Sequence, residues 1–164
     1  MKLPGLLLAL AAIAPAAPSN PSILSVQKIW DQGRHNAFTD LIRFQEKWLC
    51  TFREGGGHAS ADGKVCVIAS DAGWEWSSAA LLEEPGIDLR DPKFSTTPDG
   101  RLMIVMGGSV MANGQYVDRQ TRVSFSSDGR TWNAPAKILD RGDWLWRVTW
   151  FKGCLLYTSP SPRD

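Results

Sequence analysis

From Val26 onward the apolar residues fall in short runs punctuated by Gly, Asp, Ser and Pro. No helical periodicity runs through them. Two stretches share one layout. "VCVIASDAGWEWSSAALL" (65–82) and "TRVSFSSDGRTWNAPAKIL" (121–139) each hold a β-rich run, Ser-Asp-Gly turn chemistry, a Trp and another short strand. A strand pair precedes each: "AFTDLIRFQEKWLCTFREG" (37–55) and "LRDPKFSTTPDGRLMIVMGG" (89–108). "WLWRVTWFKG" (144–153) begins a third copy. Asp71 and Asp128 stand 57 residues apart, which sets the apparent period. Four short strands per unit at a period of several tens of residues predict an all-β chain built of β-propeller blades.

The two ends break the pattern. "MKLPGLLLALAAIAPAAPSNP" offers Lys2, an apolar run from Leu6 to Ile13, and the small-x-small triplet Ala14-Pro15-Ala16. It reads as a secretory signal peptide over 1–17, too short to span a bilayer. The mature protein is therefore expected to be secreted or periplasmic, with no membrane span. At the other end, "CLLYTSPSPRD" (154–164) lacks strand patterning. Its back-translation resembles a sequencing-library adapter, so this segment is expected to be a non-native tail.

Composition adds little about partners. The formal net charge is +1, with no basic stripe, which argues against nucleic acid. Two His without metal spacing make no metal site, "GGGH" lacks the Lys-Ser/Thr of a phosphate loop, and no cofactor is implied. Cys50 and Cys66 read equally as a disulfide of an exported protein or as two small buried thiols.

The Asp–Gly–Trp elements have a mechanical meaning. Asp and Ser bond backbone N–H groups in a tight turn, Gly supplies a positive φ, and the Trp packs beneath. These elements resemble the Asp box of sialidases (neuraminidases), Ser-x-Asp-x-Gly-x-Thr-Trp. The first copy reads Ala69-Ser70-Asp71-Ala72-Gly73-Trp74-Glu75-Trp76; the second, Ser126-Ser127-Asp128-Gly129-Arg130-Thr131-Trp132, is one residue shorter. The resemblance covers roughly Val26 to Gly153. It implies a partial six-bladed β-propeller over 26–153, with two blades and the first strand of a third. It also implies a fragment of a secreted sialidase-like glycoside hydrolase acting on terminal glycosidic bonds of a glycan, with the family's Tyr–Glu nucleophile pair expected in later blades, so that this fragment itself is expected to be inactive.

Candidate site residues come from strands expected to line the propeller axis. "FTDL", "LRDP" and "WRVT" offer Asp40, then Arg90 and Asp91, then Arg147; "TFREGGGH" adds Arg53, Glu54 and His58. Arginines from separate blades can clamp a carboxylate through paired donors. Asp40 and Asp91 read equally as structural carboxylates that hold backbone N–H groups, and Arg147 equally as a strand-end charge. The family holds its substrate with an Arg triad and carries an acid/base Asp on a blade-one loop. Its Phe-Arg-Ile-Pro motif meets Phe38-Thr39-Asp40-Leu41 here, so that Arg is absent; the family's second Arg falls on Arg53. His58 and Asp62 are the side chains placed to serve as acid/base, and Asp62 also reads as a hairpin-turn residue. Two other readings compete: a non-catalytic glycan-binding propeller, and a scaffold in which the boxes only make turns.

Overall fold

The computed structural model describes residues 20–158; the expected signal peptide and residues 159–164 lie outside the described residues. The chain is all-β. A first antiparallel sheet holds β1 (His35–Phe44), β2 (Lys47–Gly55), β3 (Lys64–Ser70) and β4 (Ser77–Leu82) in that order. A second repeats the layout with β5 (Ile87–Thr96), β6 (Leu102–Ala112), β7 (Gln115–Ser126) and the short β8 (Ala136–Lys137). β9 (Arg147–Phe151) then pairs with β10 (Cys154–Thr158). Cys154–Thr158 is thus a strand, not the patternless tail expected, yet all five of its residues are exposed. Lys152 and Gly153 both take the positive φ of a tight two-residue hairpin, so turn chemistry supplies the pairing. Among the described residues no helix is long and apolar enough to cross a membrane.

The sheets stack in layers, which explains why β3 and β6 read as nearly unbroken apolar runs: both faces are covered. Leu49, Val67 and Leu82 of the first sheet meet Leu89, Phe94 and Ile104 of the second. The second sheet's other face packs Met103, Val105 and Val123 on Leu145 and Val148. The first sheet's outer face packs Cys50, Phe52, Cys66 and Ile68 under Ile29 and Trp30. Cys50 and Cys66 are free thiols in that layer. Burial pushes them up to about 11 and about 12.

The two turns share a geometry, but not in the register expected. Ser70 Oγ accepts from Gly73 N–H (2.8 Å), as Ser126 Oγ does from Gly129 (2.8 Å). Trp76 Nε1 donates to the Gly73 carbonyl (3.0 Å), as Trp132 does to Gly129 (3.2 Å). The equivalent residues are therefore 56 apart, not 57, and Ala72 occupies the place of Asp128. Asp128 holds its turn by accepting from Arg130 N–H (2.8 Å) and Thr131 N–H (2.7 Å), bonds that depress its pKa. Asp71 makes no such bond; it points outward to Lys47, whose hydrogen bond and charge lower it.

Both leading strands carry a bulge at matching places, between Ala37 and Asp40 in β1 and between Arg90 and Lys93 in β5. Each bulge contains a non-glycine residue in the left-handed region, Phe38 (φ 65°) and Asp91 (φ 48°). For a bulky Phe this conformation is strained.

Candidate functional site

Strand direction gathers the expected residues at one end of the sheets. β1, β5 and β9 begin there, and β2 ends there. The 56–62 loop is folded back by a network that starts from Arg53. Arg53 and Asp88 are both 0% exposed and paired, Nε to Oδ1, at 2.7 Å. The remaining guanidinium nitrogens donate to the Gly57 carbonyl (2.7 Å) and Ser60 Oγ (3.0 Å). Every nitrogen of Arg53 is thereby engaged inside the protein. The expectation that it meets a ligand is corrected: it organises the loop. Gly63 allows the approach, since a Cβ there would lie 1.7 Å from Asp88 Oδ1.

Asp62 is likewise a loop fastener. Its carboxylate accepts from Gly56 N–H at 3.0–3.1 Å, and bonds from Ser60 and Gly56 lower its pKa. A carboxyl held in its charged form is a poor proton donor, and this one is engaged with the loop backbone. Glu54 accepts from Trp30 Nε1 (3.1 Å). Asp40 accepts from Phe94 N–H (2.9 Å) and from Arg147 (2.8 Å), tying the first strands of three units together. This uses Asp40 structurally. Arg147 occupies in β9 the place that Asp40 holds in β1, four residues before the hairpin turn, and not the place of Arg90.

What remains is a cavity of about 310 Å³ whose lining includes Arg90, Asp91, Tyr116, Arg119, Trp144 and Trp146. Arg90 is held from three sides. Asp88 lies 3.8 Å away, the Phe38 ring sits beneath its guanidinium at 5.2 Å, and it donates toward His58 Nε2 at 3.4 Å. His58 itself is exposed and packs edge-on against His35 and Phe38. Arg119 is fixed by Nε donating to the Gly142 carbonyl (2.8 Å). Burial raises the pKa of Asp91, against the pull of Arg90, Lys93 and His58. Trp144 reaches the cavity because residue 107 is Gly; a Cβ there would lie 2.1 Å from the indole ring. Trp146 stands against Trp144 at a steep angle, centroids 6.2 Å apart. Trp144 Nε1 and His35 Nδ1 are buried without a hydrogen-bond partner among the described residues. Among the described residues no group of His, Cys, Asp and Glu could hold a metal ion.

Of the sequence-predicted residues, the structure brings Arg90 and Asp91 to this cavity with His58 at its edge. It leaves Arg53, Glu54, Asp62, Asp40 and Arg147 in other work. Sequence reasoning missed Arg119, Tyr116 and the role of Trp144. The available signal was the polar run "DRQ" (118–120) midway along β7, just ahead of its buried stretch from Thr121 to Ser124.

A solved structure shares this fold. It is a protein of unknown function from Dyadobacter fermentans DSM 18053, with TM-score 0.55 and 18% identity over 66% of this chain. The match spans 38% of that protein's length, and at this identity it speaks for the fold alone. No family profile matches the chain, and no curated protein matches it.

Proposed function

We propose that the two four-stranded sheets are successive blades of a sialidase-like β-propeller, exported from the cell. Its mouth at Arg90, Asp91 and Arg119 serves hydrolysis of an acidic glycan. The observation that carries this is the pair of anchored guanidinium groups lining one cavity with two indoles. Arg90 and Arg119 supply donors for a sugar carboxylate, and Trp144 and Trp146 supply flat apolar surface for a pyranose ring. The equivalent turns and the side-by-side first strands support the blade reading. Asp91, its pKa raised in a partly apolar site, is suited to proton donation to a leaving oxygen. His58 lies beside Arg90 and shapes the rim.

A second reading, a glycan-binding mouth without catalysis, is favoured by one observation. Asp91 is the only carboxylate among the described residues lining this cavity, so no second acidic group is at hand there to support a nucleophile. The test incubates the full chain with oligosaccharides ending in sialic or uronic acid, and measures binding by calorimetry and cleavage by released reducing ends. Arg119→Ala is expected to abolish binding, and Asp91→Asn to abolish cleavage with binding kept. Binding without cleavage selects the second reading. Binding that survives Arg119→Ala, or no binding at all, overturns both.

A further inference from the structure

A different cavity, about 580 Å³, lies at the far end of the first sheet, where β3 turns into β4. β3 runs between this end and the mouth, so roughly 20 Å of strand separates the two sites. The lining includes Lys47, Ser70, Asp71, Trp74, Glu75 and Arg130. Trp74 is 62% exposed, an indole left in water at a turn tip.

The turn does not call for that indole. The second turn keeps the same Ser–Gly and Trp–Gly bonds with Arg130 in the corresponding place, directly after its glycine. Nor does the first turn use Asp71. Ala72 has replaced the carboxylate that would cap the turn, and Asp71 instead faces Lys47 across the cavity rim. Two side chains that the local fold does not require therefore project at one cavity, one flat and apolar, one charged.

The charge around the indole balances. Lys47 and Arg130 stand against Asp71 and Glu75, so the site offers donors and acceptors of both signs without a net field. Such a site has no preference for an anion. A pyranose ring fits it: its C–H face stacks on an indole, and its hydroxyls both donate and accept. We propose that this cavity binds a neutral hexopyranose oligosaccharide, with one ring stacked on Trp74 and hydroxyls met by Asp71, Glu75 and Lys47. The inference stands apart from the Arg90–Arg119 mouth and does not require it to be catalytic.

The experiment titrates the full chain with maltopentaose, cellopentaose and chitopentaose, following heat and tryptophan emission. At least one is expected to bind. Trp74→Ala should weaken that sugar by about tenfold or more, while Trp74→Phe keeps most of the affinity. Arg119→Ala should leave it unchanged. Matching melts of the Trp74 variants and the parent are expected, because the indole is exposed. No binding up to about 10 mM of any of the three, which corresponds to a negligible interaction, overturns the proposal. So does binding that survives Trp74→Ala, or binding lost with Arg119→Ala, which places the sugar at the other mouth.

Discussion

Arg53→Lys should destabilise the protein strongly while keeping its charge. In the parent, the guanidinium spreads over Asp88, the Gly57 carbonyl and Ser60 Oγ at 2.7, 2.7 and 3.0 Å. A lysine ammonium is a single point that can stay near Asp88 but cannot also reach both loop oxygens. The lost bonds are charge-assisted and buried, each worth about 1.5–3 kcal/mol, so the pair sets an expected loss of about 3 kcal/mol after partial rehydration. With a urea slope of about 2 kcal/mol/M, the midpoint should fall by about 1.5 M. Urea melts of the full chain, followed by tryptophan emission, measure this. A parent-like melt for Arg53→Lys would refute the reasoning and return Arg53 to the list of ligand contacts.

Other outcomes follow from the turns and the thiols. Trp132→Ala removes a ring that packs against Phe94 and should cost about 3–5 kcal/mol, whereas Asp128→Ala should cost nearer 1 kcal/mol in the same melts. Asp71→Ala, outside its turn's hydrogen bonds, should leave the melt unchanged. Asp128 is held below its ordinary value when folded, so its contribution is complete above the unfolded pKa of about 4 and is lost as pH falls through the folded value. Asp128→Asn should flatten that part of an acid titration of stability; an unchanged acid limb would show that the turn bonds do not set it. Iodoacetamide at pH 8 should label Cys154 alone in the native chain and all three cysteines after unfolding, as mass spectrometry would show. Native labelling of Cys50 or Cys66, or a disulfide between them, would contradict their burial as thiols.

Strand order and hairpins were legible because period-2 runs and turn residues are local signals. The glycines of the two Asp–Gly–Trp elements, Gly73 and Gly129, take the positive φ their turn chemistry predicts. The box register was misread because Ser70 and Asp71 are adjacent, so aligning on Asp moved the whole turn by one; the Ser–Gly–Trp spacing was the stable reference. Arg53 was visible as an arginine near the mouth, but its partner lies 35 residues away in another sheet. Nothing local announces that Asp88 will meet it, or that Gly63 clears the way. Arg119 and Trp144 escaped notice for the same reason, since only the stacking of sheets brings them to one cavity.

The paired bulges carry an evolutionary consequence. A duplicated unit inherits its backbone kink along with its fold, and a kink throws whatever side chain it holds toward the same rim. In one copy that side chain is Phe38, a platform under Arg90; in the next it is Asp91, a carboxyl in the cavity. The kink is thus a socket whose occupant can be exchanged by point mutation while the sheet around it is conserved. Chemistry at this rim can therefore change by a single substitution at Phe38 or Asp91 without disturbing the packed layers beneath.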